Sequence, residues 1–266
     1  MIRTGIGGWT YPDWRGGMFY PKGLRQADEQ AYATRAVGMI EINATFYKLQ
    51  KPASFAAWCE VAPPGFVYSL KGSRFITNRK VLATVGEALP RFLDQGFVEL
   101  CDKLGPIVWQ LAATKRFEAD DVAQFLAMLP REHEGIALRH AIEVGHESFA
   151  CAEFVDLARG AGVAIVFSEA DNRVSIADRT ADFAYLRMQD MHSDCPTGYP
   201  PEGLDRIADL CRAWEAGEAL AALPYAGDRA DSKGGAGDVF AMMINGAKER
   251  APAAARALAE RLGETK

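Results

Sequence analysis

Positive charge is what this chain is short of. Its 30 lysines and arginines are outnumbered by 35 aspartates and glutamates, for a net charge of −5 and a pI near 5.5. Nucleic-acid and membrane-surface binders present a basic field, so the balance argues against both while leaving room for a local basic cluster. Paired cysteines are missing as well. Cys59, Cys101, Cys151, Cys195 and Cys211 are odd in number, scattered and never spaced C-x-x-C, which excludes the pattern of a disulfide framework or a zinc site and reads as free thiols in a reducing compartment. No uncharged run reaches the roughly 18 residues of a membrane span. The opening Met1-Ile2-Arg3-Thr4-Gly5 lacks a charged stretch followed by an apolar one, so a cytoplasmic protein with no membrane partner is expected. Internal repeats and linkers are also absent. With 266 residues, 49% of them apolar, the chain can bury one full-sized core, and a single barrel domain over 1–266 is the default.

What is present is alternation. Short apolar runs alternate with amphipathic stretches from end to end, the pattern of α/β folds whose parallel strands are buried on both faces. Eight strands are predicted: Ile2–Gly7, Met39–Asn43, Phe66–Lys71, Ile107–Leu111, Ala141–Val144, Val163–Ser168, Phe183–Met188 and Val239–Ile244. Helices are predicted over Asp28–Ala36, Ser54–Val61, Val85–Leu100, Asp120–Leu129, Ala152–Ala161, Leu204–Trp214 and Ala253–Leu262. A closing helix after an eighth strand favours a (β/α)₈ TIM-type barrel over an open sheet. Residues 169–182 are too short and polar for a helix, so one βα unit is expected to be irregular. Tyr225–Asp238, with Gly234, Gly235 and Gly237 among charges, reads as a mobile loop before the last strand.

Residues two apart on a strand share a side. Ile40 and Ile42 fall on one side of their strand, Glu41 and Asn43 on the other. The same parity opposes Leu70 to Ser69 and Lys71, Trp109 to Gln110, Ile142 and Val144 to Glu143, and Leu186 and Met188 to Tyr185 and Arg187. The apolar set suits the surrounding helices. The polar set is left to point into the barrel near the C-terminal strand ends, where barrel enzymes place their sites. A buried charge without a partner costs several kcal/mol, so Glu41, Lys71, Glu143 and Arg187 must compensate one another or a ligand. A salt-bridged plug without chemistry is one reading. A site is the favoured one, with Glu143 as general acid or base and Lys71 and Arg187 as anion clamps, because the charges come at strand ends beside polar loops.

The loop after the third strand brings Lys71, Arg74, Arg79 and Lys80 together with Thr77 and Asn78, suited to a carboxylate or phosphate or else simply solvated. Trp9, Tyr11, Trp14, Phe19, Tyr20, Phe46 and Tyr47 crowd the first two loops, where they can stack on a sugar or base or pack onto the rim. His146, three residues beyond Glu143, is a candidate for proton transfer or metal ligation at a strand end. Gly5-Ile6-Gly7-Gly8 runs into Trp9 rather than a helix and is no dinucleotide fingerprint. His192 and Cys195 have no third partner, and His133 and His140 lie before the fifth strand, on the stability side. The carboxylates with His146 can hold a metal, but no ligand spacing demands one, and the cofactor stays open.

Several motifs carry a likeness. Gly8-Trp9-Thr10-Tyr11-Pro12-Asp13-Trp14 with Phe19-Tyr20-Pro21, Glu41-Ile42-Asn43-Ala44-Thr45-Phe46-Tyr47, Lys71 with Arg74 and Thr77, and Gly105-Pro106 before Gln110-Leu111 resemble successive motifs of the YecE-like proteins, domain of unknown function 72. So do Thr180-Ala181-Asp182-Phe183-Ala184-Tyr185-Leu186-Arg187 and Asn245-Gly246-Ala247-Lys248-Glu249-Arg250-Ala251-Pro252. The resemblance spans nearly the whole chain and implies a TIM-type barrel, without implying a settled activity. Three departures stand out: Gly145 where the family usually has Arg before His146, with Phe149 for Trp; Asn78 for the usual His; and Met188-Gln189-Asp190 for the usual Leu-His-Gly. They remove a clamp and two proton carriers, so a different ligand or a reduced chemistry is expected.

The residues point first to an enzyme of lyase, isomerase or hydrolase type acting on a small anionic, sugar-like or phosphorylated molecule. Glu41, Glu143 and His146 are the expected catalytic groups. Trp9, Tyr11, Asn43, Lys71, Arg74, Gln110, Arg187 and Asn245 are the expected substrate contacts. The alternatives are a nucleic-acid processing or binding protein that uses the loop aromatics and the Lys71–Lys80 loop, and a non-catalytic metabolite-binding barrel.

Overall fold

The eight short apolar runs become the staves of a barrel. The structure, a computed structural model, describes residues 1–228 and 235–264. The first half runs β1 (Ile2–Gly7), α1 (Glu29–Ala36), β2 (Met39–Ile42), α2 (Ala44–Tyr47), α3 (Pro52–Val61), β3 (Val67–Lys71), α4 (Arg74–Thr77) and α5 (Ala88–Leu93). It continues with β4 (Leu104–Gln110), α6 (Ala119–Met128) and a small antiparallel ribbon, β5 (Glu132–His133) with β6 (Ile136–Ala137). The second half runs β7 (His140–Glu143), α7 (Ala152–Ala161), β8 (Ala164–Ile165), β9 (Phe167–Glu169), β10 (Phe183–Met188), α8 (Pro201–Glu215), β11 (Asp238–Met243) and α9 (Ala251–Leu262).

Nine of these strands form one parallel sheet in the order β8-β7-β4-β3-β2-β1-β11-β10-β9. The two end strands, β8 and β9, are separated by Val166 alone, whose N–H reaches the Ile142 carbonyl at 2.9 Å. They are the halves of the single expected strand Val163–Ser168, so the sheet closes on itself as a TIM-type barrel. No helix or strand interrupts 170–182, which makes this the irregular unit.

Strand parity sorts the core in two. Ile6, Ile40, Ile42, Leu70, Ile107, Trp109, Ile142, Leu186 and Met243 pack outward with the helices. Met39, Val108, Ala141, Val166, Phe183, Tyr185, Phe240 and Met242 fill the barrel interior. Gly5 lies between the two neighbours of β1, and a Cβ there would meet the Met39 carbonyl oxygen at 2.5 Å, so the close approach of β1 to β2 needs glycine. The bottom of the barrel is stoppered by Arg139, whose guanidinium lies 4.9 Å from the Phe240 ring and bonds Asp238 at 2.7 Å. His140, the next residue, faces the helix side: its Nδ1 accepts from Trp109 Nε1 at 3.1 Å and its Nε2 lies 2.7 Å from the Pro130 carbonyl, while burial holds its pKa down.

One expectation changes. The predicted helix Val85–Leu100 is α5 followed by a 3-10 segment, Phe97–Lys103, with Gly96 at φ +88° between them. A Cβ on Gly96 would meet the ring of Pro52 at 2.5 Å, so the chain breaks where it crosses the start of α3. The centre of the predicted loop Tyr225–Asp238, residues 229–234, lies outside the described residues. All five cysteines are free, and no described helix is long and apolar enough to cross a membrane.

Candidate functional site

At the C-terminal ends of the strands, the inward parity delivers Glu41 from β2, Ser69 and Lys71 from β3, Gln110 from β4, Glu143 from β7, Ser168 from β9, and Tyr185 and Arg187 from β10. Arg187 is the centre. Its Nη2 bonds Glu41 Oε1 at 2.8 Å and its Nη1 bonds Glu143 Oε2, so one guanidinium ties two carboxylates from different strands. All three side chains are buried, at 1%, 0% and 0% exposure. The guanidinium is therefore worth most as the partner that lets two acids stay in the barrel.

Further donors surround the two carboxylates unequally. Tyr185 donates to Glu41 Oε2 at 3.0 Å and lies 2.8 Å from Ser69 Oγ. Glu143 accepts from Gln110 Nε2 at 2.5 Å, Ser168 Oγ at 2.6 Å and Gln189 Nε2 at 3.1 Å, and Arg173 Nε stands 3.8 Å away. Asn245 extends the chain by donating to Gln189 Oε1 at 2.5 Å. Burial alone would raise the Glu143 pKa, but the charges of Arg187 and Arg173 with the Ser168 hydrogen bond hold it below the ordinary carboxylate range. Burial, and then the Glu41 charge, push the Tyr185 phenol well up, so it stays a donor. Arg187 moves up because its two carboxylates outweigh its burial.

Lys71 belongs to the cluster without being paired in it. Its amine sits 4.5 Å from the centre of the Phe46 ring, and among the described residues it makes no ion pair. Burial and then the Arg187 charge lower its pKa, against a partial opposing pull from Glu41 and Glu143. One further donor is left over: among the described residues, the buried Nε of Arg187 has no hydrogen-bond partner.

Thus Glu41, Lys71, Gln110, Glu143, Arg187 and Asn245 come together. The other candidates lie elsewhere. His146 Nδ1 accepts from the Ser148 N–H at 3.1 Å and caps the short Glu147–Phe149 turn, with Arg116 at its Nε2. Arg74 is exposed beside Tyr47 and Phe75 on α4. Trp9 packs edge-on against Trp58 and Tyr68 on the helix side. Tyr11 packs on Trp14 under Lys248. The Asn43 amide turns back to the Glu41 carbonyl at 3.4 Å. Among the described residues no three His, Cys, Asp or Glu side chains gather as metal ligands. A separate cavity of about 690 Å³ opens at the opposite end, between Arg3, Gly38, Pro63–Phe66 and Gly263–Glu264.

Sequence reasoning put Ser69 and Tyr185 on the inward face without assigning them a role, and gave none to Ser168, Gln189 and Arg173. The first two were legible, since they sit two residues before Lys71 and Arg187 on the same face. Arg173 had no such signal, because it comes from the irregular segment. Its place depends on Gly145: a Cβ there would lie 3.2 Å from Arg173 Nη1 and 2.7 Å from Ala113 Cα.

Comparison with known proteins agrees with this architecture. The sequence model of a family described as "Protein of unknown function DUF72" matches residues 3–266. A DUF72 family protein of Thermotoga maritima superposes with a TM-score of 0.73 at 19% identity, over 100% of both chains. A DUF72 family protein of Enterococcus faecalis gives 0.70 at 15% identity, over 99% of this chain and 98% of the other. A xylose isomerase-like TIM barrel/4-hydroxyphenylpyruvate dioxygenase fusion protein gives 0.51 at 12% identity, and this chain spans 43% of it. No curated protein matches.

Proposed function

The chain belongs to the DUF72 family, and we propose that its barrel mouth is the site of an enzyme, of lyase, isomerase or hydrolase type, acting on a small anionic molecule of sugar-like or phosphorylated character. One observation carries the reading: three cations, Arg187, Arg173 and Lys71, face two carboxylates, Glu41 and Glu143, and the unpaired charge is on Lys71. A self-sufficient plug would balance. An excess positive charge and an orphan N–H on Arg187 in a mostly dry site instead favour an anion, which binds most strongly where water screens least.

The roles divide by saturation. Glu143, held ionised and filled by donors from four side chains, anchors Arg187. Glu41, which among the described residues accepts from Arg187 and Tyr185 alone, keeps acceptor sites open and is assigned the proton transfer. Gln110 and Asn245 set the orientation of the donors around Glu143. Lys71 and Arg187 supply the anion's partners.

The test is thermal unfolding in increasing phosphate, sulfate or acetate. At a hundred times its dissociation constant a bound anion stabilises by about 2.7 kcal/mol, roughly 5 °C for a chain of this length. Lys71→Ala should remove most of that response. Equal responses in the two proteins, or none in either, would leave the charges as a structural plug.

A further inference from the structure

We infer that Lys71 is an amine nucleophile, and that the molecule taken up at the barrel mouth is a small carbonyl compound bearing an anionic group, which condenses with Nζ to form an imine. The inference rests on the anion-site reading and narrows it to carbonyl substrates and to the lyase and isomerase classes.

Three features of the structure lead to it. First, the backbone that carries the amine is held in place. Thr45 Oγ1 bonds the Lys71 carbonyl at 2.7 Å, the next residue's N–H bonds the Val108 carbonyl at 2.8 Å, and Gly72 passes so close to Trp109 that a Cβ would meet its ring at 2.3 Å. Second, the amine is not neutralised. Both carboxylates near it are committed to Arg187, and no carboxylate among the described residues pairs with it. An ammonium that is half-buried beside guanidinium groups loses its proton more readily than a solvated one, and the lowered pKa of Lys71 agrees. Third, the surroundings suit the product. The Phe46 ring, 4.5 Å from Nζ, presents a π face to the protonated imine, and Arg173 with the unpartnered Nε of Arg187 offers donors to the anionic group.

In the step itself, the nitrogen lone pair attacks the carbonyl carbon and the C–N bond forms. The carbonyl oxygen takes up the two amine protons and leaves as water, giving C=N. No oxidant or reductant is required, and hydrolysis reverses the step. The imine then draws electrons from the neighbouring carbon, easing loss of a proton or a carboxyl group there, and Glu41 stands in the same cluster as the acceptor for a proton.

The full chain is incubated with pyruvate or glyoxylate, reduced with sodium borohydride, which adds hydride to an imine carbon, and mapped by peptide mass spectrometry. Lys71 should be alkylated several-fold faster than the exposed Lys48 and Lys51 in the same molecule. The preference should shrink with acetaldehyde, which lacks the anionic group, and Lys71→Arg should abolish labelling at that position. Should the variant fail to fold, the wild-type map decides alone, since it compares lysines within one chain. Labelling of Lys71 no faster than that of Lys48 and Lys51 overturns the imine. If anions still stabilise the fold in that case, the anion site stands without it; if they do not, both readings fall.

Discussion

Replacing Arg187 with methionine removes the one group that lets Glu41 and Glu143 share the barrel interior. Both carboxylates are fully buried and both bond this guanidinium. Breaking a buried pair from one side costs about 3–5 kcal/mol. At 266 residues, each kcal/mol moves the melting temperature by about 2 °C, so a drop of about 6–10 °C is expected at neutral pH. The pH profile adds a sharper signature. In the native protein Glu143 has a depressed pKa, so its contribution is present above the ordinary carboxylate value and lost as pH falls through the folded value. Without Arg187, burial prevails and the carboxyl pKa rises, so protonation favours the folded state. The gap between native and variant should therefore narrow as pH falls from about 7 toward about 4. Adding Glu41→Gln and Glu143→Gln should recover most of the neutral-pH loss and flatten the profile. The assay is thermal unfolding followed by circular dichroism across that range. A neutral-pH gap under about 2 °C, or one that does not narrow in acid, would refute the account of this cluster.

Two smaller predictions follow from the same geometry. Gly145→Ala should displace Arg173 and destabilise the fold, since its methyl would press on the Ala113 backbone at 2.7 Å; unchanged melting and an unchanged anion response would contradict this. Duplex DNA should bind weakly at physiological salt, because the net charge is −5 and Arg74, Arg79 and Lys80 are scattered on an exposed turn, with the Arg79 Nε already bonded to the Phe75 carbonyl. Tight, steeply salt-dependent gel shifts would favour the nucleic-acid alternative.

Strand parity carried the barrel interior, because alternation with period two leaves no choice once one face is apolar. That is why the inward place of Glu41, Gln110, Glu143 and Arg187 is legible in the sequence, and why Ser69 and Tyr185 fall on the same face. Helical periodicity was less decisive. Leu89, Phe92, Phe97 and Leu100 keep an apolar rhythm straight through Gly96, yet the left-handed turn there ends the helix, and only the contact with Pro52 explains it. His146 shows a related limit. Ring nitrogens that cap a short turn look, in sequence, like ring nitrogens at a strand end. Arg173 lay beyond sequence reasoning, since 170–182 have no periodicity and the arginine reaches Glu143 only through the fold.

Stability and recognition are coupled in this barrel because they use the same atoms. β2, β7 and β10 are not neighbours in the sheet, so the Glu41–Arg187–Glu143 tie spans the interior and links staves that no backbone ladder joins. Such a tie fixes the mouth in one arrangement before any ligand arrives, which is what a site for a small molecule needs, since little ordering remains to be done on binding. A tie alone would be served by one arginine and two acids with every donor used. Here a lysine two residues beyond the Ser69–Tyr185 contact and an arginine from the irregular segment are added, and one buried N–H is left open. Those additions give the fold no internal pairing for Lys71, and they are intelligible as the part of the cluster that an incoming anion completes.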